Sequence, residues 1–290
     1  MVGRHPSAQL ITYDSDCFLI DCGEGTQFRL LAQKARFGKL KAIFISHLHG
    51  DHYFGLIGLL SSLNLAGRTD ELYLFGPRGL DELLILHFRL AKTPLHYQLH
   101  FTPTDPNVPA QIFENNHITV STFPLEHRIP CTGFLLQEKA RQRHLLREQL
   151  PDDIPFEYLR MLKNGQDIID DNGAVLYAAE VYTTLPPPTR SYAYCSDTRF
   201  DPQLPAYIQG VNLLYHEATF GDELAQQATE RYHATARQAA IIAQKASVGQ
   251  LLIGHFSSRY RDFDALLQQA RSEFENTLIA EEGKTFDVEG

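Results

Sequence analysis

Four side chains that commonly bind metal ions lie within the six-residue run His47-Leu48-His49-Gly50-Asp51-His52. Imidazole suits zinc, and a carboxylate held between imidazoles can serve a second ion. The H-x-H-x-D-H spacing therefore favours a pair of metal ions over a single one. The alternative is a histidine-rich surface turn. Lone histidines are common in proteins, whereas this density of metal-binding side chains is not.

Strand-like segments precede several more polar residues of the kinds that bind metals. These segments are residues 41–46, 118–123, 191–196, 211–216 and 250–254, and they end in or soon before His47, His127, Asp197, His216-Glu217 and His255. Functional residues at strand ends are typical of layered α/β proteins. Taken singly, each such residue is explained as well by a cap or a turn. Together they predict a site assembled from several loops.

The first 91 residues alternate between strands and helices. Residues 17–21 predict a buried strand leading into Gly23-Glu24-Gly25-Thr26, and a helix follows over residues 27–37. The apolar periodicity predicts further helices over 53–66 and 79–91, with a strand over 72–75 between them. The second half repeats this alternation, which indicates an α/β fold.

The composition limits the class of protein. With 290 residues, of which 43% are hydrophobic and 21% charged, the chain can bury a full core as one large domain or as two fused halves, and we expect a single domain over residues 1–290. A formal net charge of −9 argues against a protein that coats nucleic acid generally, although a local phosphate site remains compatible with it. No apolar run approaches the roughly 20 residues that cross a bilayer. We therefore expect no membrane association.

The N-terminal residues and the cysteines both favour a cytoplasmic protein. Residues 1–6 contain no signal-peptide core, so we expect no export. The four cysteines, Cys17, Cys22, Cys131 and Cys195, form no C-x-x-C pair. They do not suggest a disulfide framework, which fits a reducing compartment, and we interpret them as packing residues.

Residues 138–190 differ in composition from the rest of the chain. A charged stretch over residues 138–144 is interrupted by Pro151-Asp152-Asp153, and Pro186-Pro187-Pro188 closes the segment. We interpret the segment as an inserted arm, since long insertions in α/β domains are often functional. The alternative is an ordinary long connection that carries a helix or two.

Motifs spread over almost the whole chain resemble those of ribonuclease Z, the tRNA 3′-processing endonuclease family with the metallo-β-lactamase fold. The H-x-H-x-D-H run alone specifies only the superfamily, whereas Gly-Glu-Gly-Thr-Gln, His-Glu-Ala-Thr and Ser-Ser-Arg-Tyr narrow the resemblance to this family. The matching segments, in the family's order, are residues 18–27, 46–52, 55–63, 126–130, 196–199, 216–220, 233–235 and 255–260. The resemblance implies a four-layer αββα sandwich in which residues 138–190 form a tRNA-binding arm, or exosite.

The resemblance also implies a dinuclear zinc site with two Zn²⁺ per subunit. One zinc ion would be held by His47, His49 and His127, the other by Asp51, His52 and His255, with Asp197 bridging them. Such a pair of ions lowers the pKa of a shared water and neutralises charge on the phosphoryl group. The ligand assignments for His127, Asp197 and His255 follow from the resemblance together with their positions after strands.

Three residues would carry proton transfer if the resemblance holds. Asp51 corresponds to the family's proposed proton acceptor, His233 to the group that protonates the leaving 3′ oxygen, and Glu217 to the group that orients His233. The alternative for His233 and Glu217 is a buried hydrogen-bonded pair that only fixes a loop.

The implied reaction is removal of the 3′ trailer from precursor tRNA, which leaves a 3′-hydroxyl on the tRNA and a 5′-phosphate on the trailer. In the family the arm grips the tRNA elbow, often for the active site of the other subunit of a homodimer. Where the family tends to carry a Gly-Pro turn, this arm reads Ile154 to Leu159. The candidate phosphate contacts of the arm are Lys139, Arg141, Arg143, Arg147 and Lys163.

The family also usually has a strand and a glycine-rich turn before the pair that is Gly3-Arg4 here, and this sequence does not contain them. Their absence would expose a sheet edge without removing a metal ligand.

Two other classes of function stay open at this point. Another hydrolase on the same scaffold, such as a small phosphodiesterase, an arylsulfatase or a thioesterase, would use the same metal chemistry. Such an enzyme would not need a basic arm, which favours the nuclease. A non-catalytic RNA-binding relative would be expected to lose ligands, whereas the whole ligand set is present.

Overall fold

Two β-sheets pack face to face in the computed structural model, which describes residues 4–290. The described residues contain sixteen strands, twelve of them in these two sheets, and nine α-helices, numbered in chain order. Gly3, half of the Gly3-Arg4 pair, lies outside the described residues. Among those that are described, no helix combines the length and apolarity needed to cross a membrane.

The first sheet has five strands in sequence order, with β1 antiparallel to β2 and the others parallel. Its strands are β1 (Gln9–Tyr13), β2 (Asp16–Ile20), β3 (Leu40–Phe44), β4 (Leu72–Gly76) and β5 (Leu99–Pro103). The central strands β2 and β3 are nearly continuous apolar sequences because both faces of the sheet are covered.

The second sheet has seven strands in the order β16-β15-β14-β13-β8-β7-β6. Its strands are β6 (Ala110–Glu114), β7 (Ile118–Leu125), β8 (Cys131–Glu138), β13 (Ser191–Cys195), β14 (Leu213–Glu217), β15 (Gln250–Gly254) and β16 (Thr277–Ile279). The strands from β13 to β16 run parallel, and those from β6 to β8 are antiparallel. The carboxyl ends of the parallel strands therefore meet at one edge.

Helices cover the outer faces of both sheets. The helices are α1 (Thr26–Ala32), α2 (Gly50–Tyr53), α3 (Leu56–Leu65), α4 (Leu80–Ala91), α5 (Phe156–Lys163), α6 (Ala179–Tyr182), α7 (Ala225–Glu230), α8 (Ala236–Lys245) and α9 (Asp264–Arg271). Short 3-10 turns lie at Phe37–Lys39, Arg147–Gln149, Leu204–Ala206 and Asp222–Leu224. The layer order is thus helix, sheet, sheet, helix, as the family resemblance implies.

Three apolar clusters separate these four layers. The middle cluster joins the inner faces of the two sheets, with Phe18 and Phe44 from the first facing Phe134 and Tyr194 from the second. One outer cluster packs α1, α3 and α4 on the first sheet. The other packs α8 and α9 on the second sheet, where the alanines of α8 allow close approach. All four cysteines are buried and free, which confirms their interpretation as packing residues.

Two predicted helices are shorter than the sequence pattern suggests. The helix predicted over 27–37 ends at Ala32, because Lys34 adopts a left-handed φ of 52° that stops helical hydrogen bonding. The helix predicted over 53–66 is two helices, α2 and α3, with Phe54 and Gly55 between them. The break lets Gly55 approach the backbone of Gly23 closely, where a Cβ would lie 2.0 Å from the Gly23 carbonyl oxygen.

Residues 139–190 connect β8 to β13 and contain α5 and α6 with the short strands β9 (His144–Leu145), β10 (Ile168–Ile169), β11 (Val175–Tyr177) and β12 (Thr183–Thr184). The segment has an apolar cluster of its own, built on Leu150, Ile154, Leu162, Ile168 and Ala179. Its strands pair only with one another, β9 with β12 and β10 with β11. Helix α5 lies where the family tends to carry a Gly-Pro turn.

Candidate metal centre

Residues from both sheets meet at one edge of the sandwich. Four of the candidate ligands follow the ends of β3, β7, β13 and β15 within three residues: His47, His127, Asp197 and His255. The others belong to the segment from His49 to His52, whose last residues form the one-turn helix α2. The seven side chains chosen from the sequence as metal ligands therefore lie together.

The first group of side chains is His47, His49, His127 and Asp197, whose ligand-type atoms all lie within 4.8 Å of one another. Nδ1 of His49 is 3.1 Å from Nε2 of His47 and 3.1 Å from Nε2 of His127. Three imidazole nitrogens and a carboxylate at such spacing suit a tetrahedral zinc ion.

The second group is Asp51, His52 and His255. Oδ2 of Asp51 lies 3.6 Å from Nε2 of His52 and 3.8 Å from Nε2 of His255. The carboxylate of Asp51 is half exposed, whereas His52 is buried. This group is therefore open to solvent on the Asp51 side.

Asp197 lies between the two groups and faces each with a different oxygen. Oδ2 is 3.8 Å from Nε2 of His47 and 3.9 Å from Nε2 of His127. Oδ1 is 3.5 Å from Nε2 of His52 and 3.2 Å from Nε2 of His255. A carboxylate in this position has the geometry to bridge two cations.

Two atoms at this position are buried without a hydrogen-bond partner: Oδ1 of Asp197 and Nε2 of His52. Buried polar atoms are nearly always paired, because leaving one unpaired costs about 1–3 kcal/mol. A cation between them would satisfy both. The donor set, imidazole nitrogens and carboxylate oxygens, therefore fits zinc.

Three of the imidazoles, those of His47, His52 and His127, are held from outside by their Nδ1 atoms. His52 Nδ1 donates to Oδ2 of Asp21 at 2.7 Å, and His127 Nδ1 donates to the backbone carbonyl of Tyr232 at 3.1 Å. His47 Nδ1 lies 3.0 Å from Oγ of Ser46. Such partners fix the ring and leave the Nε2 lone pair directed inward, as in many zinc sites.

Asp21 is a site residue to which the sequence analysis assigned no role. Its fully buried carboxylate accepts hydrogen bonds from His52, from the hydroxyl of Tyr194 at 2.7 Å and from the backbone N–H of Ser46 at 2.8 Å. Asp21 thus ties the first sheet to the second directly beneath His52. The sequence feature that could have identified Asp21 is a carboxylate at the end of the apolar strand over residues 17–21. The same feature selected Asp197.

Three residues around the centre have left-handed backbone conformations that L-residues adopt rarely. Their φ angles are 56° at Asp21, 60° at Tyr232 and 56° at His255. Each such residue costs of order 1–3 kcal/mol and persists only where the surrounding contacts determine it. The concentration of this strain at one edge of the sheets is typical of a functional site.

His233 and Glu217 form a buried hydrogen-bonded pair, with His233 Nδ1 2.8 Å from Oε1 of Glu217. Burial raises the pKa of Glu217, but the facing His233 outweighs it and lowers that pKa to about 2. Burial lowers the pKa of His233, but the carboxylate of Glu217 outweighs it, and the net pKa is raised. The two shifts favour the ion pair over the neutral pair, and in the ion pair the Nε2–H of His233 is free to donate.

The local structure fixes where His233 lies. Helix α8 starts with a capping box two residues later, in which Thr235 Oγ1 accepts from the backbone of Gln238 and Oε1 of Gln238 accepts from that of Thr235. His233 also belongs to a third group of ligand-type atoms with Asp197 and His255. It therefore lies at the edge of the metal centre.

Charge distribution differs between the two groups. Burial, followed by the neighbouring imidazoles, strongly lowers the pKa of His47, which keeps its lone pair available. Burial opposes protonation of His255, but Asp197 and Asp51 outweigh it and raise its pKa to about 10. A hydrogen bond from His255 lowers the pKa of Asp51. The carboxylates of Asp51 and Asp197 thus both face the ring of His255. A cation bound between them would replace the proton on that ring.

His216 does not join the centre. The sequence pattern marked His216-Glu217 as a polar strand end, yet only Glu217 contacts a site residue. The His216 Nδ1–H donates to the backbone carbonyl of Glu217 at 2.7 Å, and the ring is buried.

Comparison with known proteins gives full-length matches. The chain is 46% identical to "Ribonuclease Z" of Cytophaga hutchinsonii over 286 residues, which covers 99% of the chain and 91% of that protein. It is 45% identical to "Ribonuclease Z" of Bacteroides fragilis over 281 residues, covering 96% and 92%. A family model described as "Anti-Pycsar protein Apyc1" matches residues 3–142.

Solved structures resemble the chain over the same extent. Human tRNase Z, short form, aligns with a TM-score of 0.71 and 26% identity, covering 99% of this chain and 94% of that one. A metallo-β-lactamase fold protein from Bacillus subtilis aligns with a TM-score of 0.66 and 19% identity, covering 98% and 92%. The second likeness concerns the fold alone.

Proposed function

This chain belongs to the ribonuclease Z family and has the metallo-β-lactamase fold, and we propose that it removes the 3′ trailer from precursor tRNA as a zinc-dependent endoribonuclease. The products would be a tRNA with a 3′-hydroxyl and a trailer with a 5′-phosphate. The observation that carries the proposal is the position of Asp197, whose two oxygens face two separate groups of imidazoles and carboxylate.

We propose that two Zn²⁺ bind per subunit. His47, His49 and His127 would hold one and Asp51, His52 and His255 the other, with Asp197 shared between them. The unpaired, buried Oδ1 of Asp197 and Nε2 of His52 support this assignment. When bound, such a pair of ions supplies an activated water and neutralises charge on the scissile phosphate.

The chain's own residues would supply the proton transfers. His233 would donate the proton of its Nε2–H to the leaving 3′ oxygen, because its Nδ1–H is already committed to Glu217. Glu217 would keep His233 protonated and fix its ring through the 2.8 Å contact. Asp51, half exposed and with a lowered pKa, is an ionised carboxylate able to accept a proton from the attacking water.

We propose that residues 138–190 form the arm that binds tRNA away from the cleavage site. A groove of about 480 Å³ in this segment is lined by Arg143, Arg147 and Lys163 together with His144. Guanidinium and ammonium groups collected in one groove suit a phosphate backbone. Lys139 and Arg141 are less suited, because Lys139 pairs with Glu114 and Arg141 contacts Tyr13 and Glu138.

The proposal includes a homodimer in the cytoplasm. Helix α1 exposes Phe28 and Leu31, which are 67% and 55% accessible, and the adjacent α3 exposes Leu65 at 89%. Apolar side chains of this size on neighbouring helices favour an association surface. Four free, buried thiols are compatible with a reducing compartment.

The test is incubation of the purified protein with a 3′-extended precursor tRNA and, separately, with a small chromogenic phosphodiester, each with and without chelator. We expect chelator-sensitive cleavage of the precursor directly after the discriminator nucleotide. Activity restricted to the small diester would contradict the assignment of substrate. Chelator-resistant cleavage of the precursor would contradict the metal centre.

A further inference from the structure

A cavity of about 690 Å³ opens beside His49, outside the set of side chains that surround Asp197. We call it the His49 cavity, and its lining includes Leu48, Pro77, Arg78, Pro106, Ile129 and Thr132. The volume is typical of a pocket for a small molecule or one nucleotide. Because His49 belongs to both, the cavity is continuous with the metal centre.

The walls of the His49 cavity suit a planar, partly apolar group. Leu48, Pro77 and Ile129 contribute aliphatic surface from three different loops, and all three are buried or half-buried. The flat faces of nucleobases pack against apolar side chains whatever the identity of the base. These walls therefore favour a base without selecting one.

Two polar groups complete the cavity. Arg78 is exposed and precedes α4, where a guanidinium can contact a phosphate. Thr132 is only 1% accessible, and its Oγ1 is buried without a hydrogen-bond partner. An unpaired hydroxyl in a cavity wall is a site for a ligand hydrogen bond. A group with a flat apolar face, hydrogen-bonding atoms and a phosphate matches these features, and a nucleotide has all three.

We propose that the His49 cavity binds the first nucleotide of the 3′ trailer, an assignment that rests on the proposed function. His127 separates the cavity from His233, with ring centroids 4.9 Å from His49 and 5.5 Å from His233. The tRNA carries the leaving 3′ oxygen that takes the proton from His233, so its last nucleotide lies on the His233 side. The trailer keeps the phosphate and continues on the other side, into the cavity.

Base identity should matter little at this position. Among the polar lining residues, Asp105 is already engaged, since its Oδ1 accepts from the backbone N–H of Asn107 at 2.9 Å. The side-chain amide of Asn107 also contacts Oδ1 of Asp105. The unpaired hydroxyl of Thr132 can both donate and accept, so it does not select one base edge over another. We therefore expect removal of the base to weaken cleavage and exchange of one base for another to change it little.

The test compares three precursor tRNAs under metal-loaded conditions: one natural, one abasic at the first trailer nucleotide and one abasic at the last tRNA nucleotide. For the wild-type protein we expect kcat/KM to fall about ten-fold when the first trailer base is removed, because the apolar walls then lose their contact with the faces of the base. The variant Ile129→Trp fills the cavity. It should cut the natural precursor more slowly and lose most of the discrimination against the abasic trailer.

A second variant tests the cavity without the risk that Ile129→Trp disturbs folding. Arg78→Ala lies at the exposed rim and should weaken binding of a nucleoside 5′-monophosphate, which imitates the 5′ end of the released trailer, in a calorimetric titration. The matched control is Arg89→Ala, which changes an exposed arginine on α4, the helix that Arg78 precedes, and this arginine does not line the cavity. This control should match the wild type in both assays.

Two outcomes would overturn the assignment separately from the function. Equal cleavage of the natural and abasic-trailer precursors by the wild type would show that the cavity holds no trailer base. Ile129→Trp could instead lose its discrimination against the precursor that is abasic at the last tRNA nucleotide, and keep it against the abasic trailer. That result would place the last tRNA nucleotide, and not the first trailer nucleotide, in the His49 cavity. Absence of cleavage of the natural precursor would instead overturn the proposed function, and the inference with it.

Discussion

Nδ1 of His127 lies 3.1 Å from the backbone carbonyl oxygen of Tyr232, the residue directly before His233. One peptide unit therefore orients a candidate metal ligand and precedes the candidate proton donor. The guanidinium of Arg199 lies over the ring of Tyr232, 5.0 Å from its centroid, and pairs with Glu126 beside His127. The spacing between His127 and His233 thus depends on the conformation of Tyr232.

We expect substitutions of Tyr232 to follow the steric demand of its φ of 60°. Tyr232→Gly keeps the carbonyl and relieves the left-handed strain, so the free energy of unfolding should change by less than about 1 kcal/mol after loss of the Arg199 contact. Tyr232→Val should cost about 1–2 kcal/mol and weaken metal binding, because a β-branched residue is poorly accommodated there. Urea unfolding measures the free energy of unfolding, and zinc titration measures metal affinity. Equal values for the two variants would show that the left-handed conformation of Tyr232 does not matter.

Replacement of His233 by Ala should reduce kcat on precursor tRNA by about 10²-fold or more, the usual effect of losing a proton donor. Both metal ions should remain bound, because His233 is not assigned to either. The measurement is single-turnover cleavage together with metal content. A turnover equal to that of the wild type would leave His233 and Glu217 as a pair that only fixes the loop.

The pH dependence of cleavage should report the same pair. Because the pKa of His233 is raised above its usual 6.5, the protonated donor persists to higher pH than in a free imidazole and is lost as the pH rises through that pKa. Glu217→Gln removes the carboxylate that raises the pKa of His233. The basic limb of the plot of kcat/KM against pH should therefore move to lower pH. Glu223→Gln, on the rim, is the matched control and should leave the limb in place. An unmoved limb in Glu217→Gln would disprove the coupling.

Metal binding should release protons. The pKa of His255 is raised to about 10, so its ring carries a proton at neutral pH without metal, and the pKa of His52 is shifted in the same direction. A zinc ion needs the neutral rings, and its affinity should therefore increase with pH. Calorimetric titrations in buffers of different ionisation enthalpy count the protons. An affinity independent of pH between 6 and 8, or no bound metal, would contradict the site.

Asp197→Asn should separate the two groups of ligands. The amide nitrogen cannot serve as a second anionic oxygen, so we expect the bound metal to fall from about two ions per chain toward one. Elemental analysis of the loaded protein gives the ratio, with Asp222→Asn as a control for a general loss of stability. Retention of two ions in Asp197→Asn would show that Asp197 does not bridge.

Removal of residues 141–180 should abolish cleavage of precursor tRNA while hydrolysis of a small phosphodiester survives. The segment has its own apolar cluster, so its loss should leave the cores of the sandwich intact. A finer variant reverses the charge of Arg147 and Lys163, which should weaken tRNA binding and lower its salt dependence. Equal loss of both activities on deletion would show that the segment is structural.

Much of the fold was predictable because its signals are local. The apolar strands ending near His47, Asp197 and His255 were recognised from short-range patterns, and the alternation of strands with helices indicated an α/β fold. The two helix-covered sheets were implied by the family resemblance. The errors also have local causes. The early end of α1 depends on the backbone of Lys34, and the break between α2 and α3 depends on a close approach of Gly55 to Gly23, neither of which periodicity reports.

The sequence by itself determined which chemistry is possible: an inventory of imidazoles and carboxylates at strand ends, dense enough around His47 to predict two cations. Only the tertiary structure decided how they are used. Packing of the two sheets directs one oxygen of Asp197 to each group, joins Asp21 to His52 and Tyr194, and brings Tyr232 to His127 across 105 positions of the chain. Such contacts follow from which strand ends meet at one edge, and no short stretch of sequence contains that information.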